Sequence, residues 1–285
     1  MIEIIQQRLA TYRAANPLEE EQALKEILQE VALFALWRAD FFEVAAFQGG
    51  TSLRILHKLP RFSEDLDFIL KQPDQAFDWN RYLGPLSDGL QEFGLKSEVL
   101  NKSRMDQAVR KAILKDGSIS QQLNLSFLHG PADRTLKIKL EVDVEPPAGS
   151  GFEHTYLDFP IDFEVCHQDL GSNFALKIHA LLCRGFLKGR DWYDFIWYLK
   201  QGVQPNYFLL EAAIQQAGPW KNQGIPVNQA WLQTVLREKI ATIDWKAAAS
   251  DVQKFLNIVQ QQGLRVWSAQ FFLSKVERLS ADACQ

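Results

Sequence analysis

The sequence predicts an α+β protein, with a mixed β-sheet and helices in the N-terminal part followed by a helical C-terminal domain. Three observations carry this expectation. Leu24, Ile27, Leu28, Val31 and Phe34 recur at helical spacing, so the first ~40 residues read mostly as helix. Between 134 and 145 the chain alternates as a strand does: Lys137, Lys139, Glu141, Asp143 and Glu145 face one way, and Ile138, Leu140, Val142 and Val144 the other. After about residue 165 the pattern is helical to the end, with breaks at Gly202 to Pro205 and at Gly218-Pro219. The expected division is 1–165 for the α/β domain, N-terminal helices included, and 166–285 for the helical domain. No internal repeat or low-complexity segment interrupts it.

Composition bounds the function. The chain has 285 residues, 47% hydrophobic and 23% charged, as expected of an ordinary globular protein. Its 19 Phe and 8 Trp can build a core without staples. No apolar run approaches the ~18–20 residues that cross a bilayer, so no membrane association is expected. The N-terminus lacks the basic-then-apolar pattern of a secretory signal. Cys166, Cys183 and Cys284 are too few and scattered for a disulfide framework, which fits a cytoplasmic protein. A net charge of −4 excludes gripping nucleic acid by bulk positive charge, though not through a local basic site.

The elements in between follow in order. A short strand, Glu43 to Phe47, runs into Gln48-Gly49-Gly50-Thr51-Ser52. A helix from Ser52 to Leu59 is expected, capped by Thr51 or Ser52 and stopped by Pro60. Asp65 to Leu70 reads as a strand, 78–94 as a helix and 95–101 as another strand. Gln121 to Leu128 is a further strand candidate, and Pro146 to Gly151 a turn-rich break. Lys96, Lys102, Arg104, Arg110, Lys111 and Lys115 form a basic stretch that reads as an exposed loop or, alternatively, as a guide for an RNA acceptor.

The chemistry concentrates around Asp65-Leu66-Asp67. Residues i and i+2 of a strand share a face, so the two carboxylates project side by side and repel unless a cation sits between them. Such an oxygen pair suits Mg²⁺, which takes one or two carboxylates plus substrate phosphates. Gly49-Gly50 lets main-chain N–H groups approach a phosphate at a helix N-terminus, where Thr51 or Ser52 could add a hydroxyl. Together these are the minimum apparatus of metal-assisted phosphoryl or nucleotidyl transfer. A third carboxylate would come from Asp143 or Glu141 on the alternating strand, with Asp143 favoured; a plain solvated strand face is the other reading.

Further on, Lys177, Arg184 and Lys188 are spaced by near-whole turns and predict one basic helical stripe, with no acid from 177 to 190. Asp191 and Asp194 share a face of the next helix; Asp191 could instead cap that helix and pair with Arg190 or Lys177. Trp192, Phe195, Trp197 and Tyr198 read as core. Cys166, His167, His179 and Cys183 do not form a paired zinc knuckle. The phosphate-binding Gly-Lys-Ser/Thr loop, the dinucleotide fingerprint and the Gly-x-Ser-x-Gly elbow are all missing from the chain.

Gly49-Gly50-Thr51-Ser52-Leu53, Arg61-Phe62-Ser63-Glu64-Asp65-Leu66-Asp67-Phe68, Ala175 to Arg184 and Lys188-Gly189-Arg190-Asp191-Trp192-Tyr193-Asp194 together resemble the AbiEii/AbiGii-type nucleotidyltransferase toxins of the DNA polymerase β-like superfamily. The resemblance covers about 49–199, half the chain. It implies a nucleotidyltransferase-like sheet, an NTP substrate and Mg²⁺ or Mn²⁺ on Asp65 and Asp67; it does not fix the third acid, for which Asp143 stays favoured over Glu141 on the strand pattern. Gly49, Gly50, Thr51, Ser52, Arg61, Ser63, Arg184 and Arg190 would bind the nucleotide, and Lys177 and Asp191 would be the later catalytic residues. The implied acceptor is RNA, such as a tRNA 3′ end, and the implied setting a toxin–antitoxin or phage-defence pair with an antitoxin protein. Transfer to a protein or small molecule, or a non-catalytic nucleotide-binding module, are the alternatives. Retention of both paired acids speaks against the last.

Overall fold

The computed structural model describes residues 2–127 and 135–280. Leu128 and Arg134, the ends of two expected strands, and Cys284 lie outside the described residues. The chain divides into two compact units. Unit 1 is Met1–Lys58, Phe62–Pro146 and Phe152–His167; unit 2 is Leu59–Arg61, Pro147–Gly151 and Gln168–Gln285.

Unit 1 opens with helices α1 (Ile2–Tyr12) and α2 (Pro17–Arg38). Asn16 caps α2 by accepting from the Glu19 N–H at 3.0 Å, with Pro17 in the first turn where its missing N–H costs nothing. The helical spacing read from the sequence holds: Leu24, Ile27, Leu28, Val31 and Phe34 are all buried. Next come α3 (Phe41–Val44), β1 (Ala45–Gln48), α4 (Gly49–His57), β2 (Leu66–Leu70), α5 (Asn80–Glu92), β3 (Ser97–Asn101) and β4 (Val109–Asp116). The unit closes with α6 (Ile119–Gln122), β5 (Leu136–Asp143), β6 (Phe152–Leu157) and β7 (Phe163–Gln168).

The seven strands form one sheet in the order β3-β4-β5-β2-β1-β7-β6. β2 lies at its centre, antiparallel to β1 and parallel to β5. β1 in turn runs parallel to β7, with Phe47 opposite His167. An aromatic cluster of Phe41, Phe68, Phe77, Trp79 and Tyr82 packs against the central strands, Phe41 and Trp79 stacked at 5.4 Å. Unit 2 comprises α7 (Leu170–Cys183), α8 (Gly189–Lys200), α9 (Tyr207–Gln216), α10 (Gln229–Ala241), α11 (Trp245–Gln253), α12 (Ile258–Gln261) and α13 (Ala269–Val276). Trp192, Trp245 and Phe272 form its aromatic centre, the last two stacked at 3.9 Å.

Several expectations need correction. The strand expected at Glu43–Phe47 starts two residues later, because Phe41–Val44 turn as a helix first. Residues 96–115 are a loop only in part: they build the β3–β4 hairpin, with alternate residues of β4 buried and Lys102 and Arg104 exposed on the segment that connects the strands. Arg110 is buried there and donates to the carbonyls of Gln75 at 2.8 Å and Met105 at 3.2 Å, so it holds the hairpin and not a ligand. The strand expected from Gln121 is instead the end of α6 and the irregular chain after it, because Asp116 accepts the Ile119 N–H at 2.7 Å and starts a helical turn. Strands β6 and β7 have no clear sequence signature, their apolar positions being interrupted by Glu153, His154, Asp158 and Asp162.

Gly89 of α5 marks a close contact with α2. A β-carbon there would lie 2.6 Å from the Ala35 β-carbon of α2. Gly89→Ala should therefore destabilise by about 1–3 kcal/mol through overpacking, outweighing the ~1 kcal/mol that alanine gains in helix propensity. Denaturant unfolding of the two proteins checks the sign; a more stable variant would mean that the helices separate freely.

Candidate active site

The centre of the sheet positions the two aspartates. Leu66 and Phe68 are buried, which turns the neighbouring Asp65 and Asp67 to the other side, both half-exposed. Asp65 precedes β2 by one residue and Asp67 pairs in register with Gln48 of β1. Directly after Gln48 the chain enters α4. This corrects the expected helix start: Gly49 and Gly50 are its first turn and not a loop before it, Gln48 is the cap residue, and neither Thr51 nor Ser52 caps it.

Gly49 has φ +77°, a conformation that favours glycine. A β-carbon there would stand 2.8 Å from Asp67 Oδ2 and 3.2 Å from Asp67 Cβ. The Asp67 carboxylate thus lies against the main chain at the start of α4. Thr51, fully buried, donates its hydroxyl to the Asp65 carbonyl, and Ser52 donates to the Gly49 carbonyl at 2.8 Å. Gln48 Nε2 donates to the Phe68 carbonyl at 3.1 Å, and Gln29 Nε2 to that of Ser63 at 3.2 Å. These bonds tie the Ser63–Phe68 segment to α2, β1 and α4. The expected juxtaposition of Gly-Gly turn and aspartate is present.

Of the two acids left open on β5, Glu141 is opposite Asp67 and Asp143 opposite Ile69. Glu141 is already paired with Lys111 of β4 at 3.0 Å. Asp143 accepts the Glu145 N–H at 3.0 Å, and burial raises its pKa above the ordinary carboxylate value against that bond. Among the described residues no group of three His, Cys, Asp or Glu side chains is arranged to hold a metal ion. Two carboxylates remain, which is the donor set Mg²⁺ accepts when phosphates and water complete its shell.

In unit 2 the expected single basic stripe is overturned. α7 ends at Cys183, Arg184 follows it in extended conformation, and Lys188 occupies the cap position of α8. The end of α7 after Cys183 separates Lys177 from the other two. What gathers the cations is a pair of buried acids. Lys177 Nζ lies 2.9 Å from Asp191 Oδ1 and 3.0 Å from Asp194 Oδ2. Arg184 pairs with the other Asp191 oxygen. Arg61 grips Asp194 through two bonds of 2.6 Å, with both side chains buried. Arg190 instead lies over the Phe255 ring, 4.3 Å from its centroid. Trp192, Phe195, Trp197 and Tyr198 are buried, as the sequence predicts.

Burial alone would raise the Asp191 pKa, but Lys177, Arg184 and Lys188 overcome it and hold the carboxyl at about 2. The Lys177 ammonium is held charged in the same way: burial works against it, and Asp191 and Asp194 prevail. The role of Asp194 and its bidentate bond to Arg61 is what sequence reasoning misses. Their separation of 133 positions along the chain leaves no local signal, although the Asp191/Asp194 spacing is visible.

A family model described as the nucleotidyl transferase AbiEii toxin of type IV toxin–antitoxin systems matches residues 31–274. The chain belongs to this family. It is accordingly a nucleotidyltransferase, with a nucleoside triphosphate as substrate and, as a member of a toxin family, an antitoxin as its implied partner. Among solved structures, JHP933 from Helicobacter pylori aligns at 17% identity and TM-score 0.48, over 91% of this chain and 89% of that one. An H. pylori protein assigned as a nucleotidyltransferase aligns at 18% identity and TM-score 0.47, over 89% of this chain and 95% of that one. An antigenic nucleotidyltransferase-like protein from Paracoccidioides brasiliensis aligns at 17% identity and TM-score 0.38, over 82% and 95%. The comparison with curated proteins gives no match. Among the described residues, no helix is long and apolar enough to cross a membrane.

Two outcomes follow from the geometry. Gly49→Ala should cost about 1–2 kcal/mol for its left-handed backbone. It should also displace the Asp67 carboxylate, so that NTP turnover falls tenfold or more in protein that remains folded; turnover that tracks stability alone would contradict this contact. Asp191, held at about 2 against an ordinary 3.8, contributes stability present above pH ~4 and lost as the pH falls through ~2. The advantage of the wild type over Asp191→Asn in urea unfolding should shrink by about 2 kcal/mol across that window. A gap that stays constant would mean the carboxylate is not held by these cations.

Proposed function

We propose that the protein transfers a nucleoside monophosphate from an NTP to a hydroxyl of RNA, such as a tRNA 3′ end. We propose further that it does so with Mg²⁺ or Mn²⁺, in the cytoplasm, as the toxin of a pair whose antitoxin restrains it. The observation that carries this reading is the Asp67 carboxylate resting against Gly49 at the start of α4, with Asp65 tied to the same turn by Thr51. An anion bound at the α4 N-terminus meets main-chain N–H groups of Gly49–Ser52 and the positive end of the helix. Asp65 and Asp67 would hold the metal beside it, where the metal would offset charge on the reacting phosphate and on the departing pyrophosphate.

The chain's own groups do the rest. In the reaction an acceptor oxygen bonds to the α-phosphorus, the bond from that phosphorus to the β-phosphate oxygen breaks, and the hydroxyl proton needs a base. Asp143 is the proposed base, its carboxyl made more basic by burial. Lys177 and Asp191 are proposed as the later catalytic residues on the family motifs alone; within unit 2, Asp191 and Asp194 take two of the three N–H donors of Lys177. Asp191 is the partner that keeps Lys177 charged and aimed. The nucleotide-binding set implied by the motifs also names Ser63, Arg184 and Arg190; Arg61, buried on Asp194, is proposed to position that acid instead. Residues 1–165 are the proposed nucleotidyltransferase-like domain, which supplies the metal ligands, the base and the Gly49–Ser52 turn, and 166–285 the helical domain.

Asp65→Ala combined with Asp67→Ala should abolish metal-dependent transfer from labelled NTP while leaving thermal unfolding within a few degrees of the wild type. The same assay, run on total cellular RNA and protein and resolved on a gel, identifies the acceptor. A fully active double variant, or label found in protein alone, would overturn the proposed activity or its acceptor respectively.

A further inference from the structure

The loop between α7 and α8 borders a cleft of about 320 Å³ that lies wholly within unit 2. Arg184, Phe186, Lys188, Lys239 and Asp244 line it. Its charges are unequally committed. Arg184 is paired with Asp191, and Asp244 caps α11 by accepting the N–H groups of Lys246 and Ala247 at 3.0 and 3.1 Å. Lys188 and Lys239 remain, and among the described residues neither amine has a carboxylate within ion-pair distance. Burial and the nearby Lys177, Arg190 and Arg184 lower the Lys188 pKa, with Asp191 opposing, so an added anion would relieve repulsion there.

Phe186 adds a flat apolar surface. The ring is 68% exposed, although large apolar side chains are mostly buried in this unit. The Arg184 guanidinium carbon lies 5.0 Å from its centroid and steadies it. An exposed aromatic ring beside uncommitted cations is the arrangement that binds single-stranded nucleic acid, the base on the ring and the backbone phosphates on the cations. An acidic peptide would use the lysines and leave the ring idle. A free triphosphate carries more charge than two lysines answer.

We propose that this cleft is an acceptor-strand subsite, which stacks one unpaired base of an RNA on Phe186 and holds the adjoining phosphates with Lys188 and Lys239. The assignment rests on the proposed transfer to RNA and adds to it where the acceptor is held. Its test is binding of a fluorescent twelve-nucleotide single-stranded RNA to the full chain, without NTP or metal. Lys188→Ala with Lys239→Ala should weaken binding tenfold or more and flatten the log–log salt dependence by about 1.4, at about 0.7 for each phosphate no longer neutralised. Phe186→Ala should weaken it about fivefold or more with the salt dependence unchanged. Unchanged RNA binding in both variants would overturn the assignment. So would a loss confined to NTP binding, or to binding of a glutamate-rich peptide. Asp65→Ala with Asp67→Ala should retain RNA binding while losing transfer. Transfer that survives in that variant defeats the proposed reaction and leaves the subsite standing; RNA binding that ignores the lysines and Phe186 defeats the subsite alone.

Discussion

The site in unit 1 depends on one steric fact: nothing larger than hydrogen fits between the Gly49 α-carbon and the Asp67 carboxylate. That contact sets how near an acidic side chain can come to the first turn of a helix, and it requires glycine twice over, once for space and once for φ. The remaining bonds preserve it. Thr51 fixes the main chain of Asp65 to the same turn, Gln48 locks β1 to β2, and Leu66 and Phe68 anchor the strand in the core. A carboxylate aimed by a strand is held more precisely than one carried on a loop. The hydroxyls of Thr51 and Ser52 serve this geometry through main-chain bonds; main-chain N–H groups are the donors proposed to meet the anion.

Unit 2 is ordered by a different constraint. Two carboxylates with almost no exposure, Asp191 and Asp194, cannot remain charged without compensation, and three cations answer them. The bidentate Arg61–Asp194 pair has the geometry in which guanidinium and carboxylate bind best. Lys177 spans both acids, so its position is determined from two sides. Such a network is weak evidence for stability in itself, because burying charge is costly. What it secures is orientation: an ammonium whose location is known and whose charge is maintained against burial.

The legible parts of the sequence are those with local signals. The alternation of 136–143, the helical periodicity of α2 and the Asp65-Leu66-Asp67 pattern depend on neighbours a few residues apart, and each is present in the fold. The hairpin of β3 and β4 is hidden because its basic residues look like a solvated loop. Only the pairing across the hairpin and to β5 shows that Arg110 is buried and Lys111 matched to Glu141. The stripe of Lys177, Arg184 and Lys188 fails for a related reason. Spacing predicts a common face only if the helix continues, and it stops at Cys183. Lys177 and Arg184 do converge, but through Asp191, fourteen positions beyond Lys177.

Counting cations therefore says less than counting which of them are spoken for. The chain is acidic overall, and its basic, acid-free stretch 177–190 looks from sequence like an uncompensated surface. Once pairing is resolved, Lys177, Arg184 and Arg61 belong to Asp191 and Asp194, and Arg190 to the face of Phe255. At the α7–α8 cleft, attraction for a polyanion is then proposed to fall to Lys188 and Lys239, neither of which has a carboxylate within ion-pair distance among the described residues. Only the first of these lies in the basic stretch; the second comes from the end of α10, where nothing in its surroundings along the chain sets it apart. A fold can thus keep a negative net charge, which disfavours indiscriminate nucleic-acid binding, and still present a small cationic patch whose strength is set by how few counter-charges reach it.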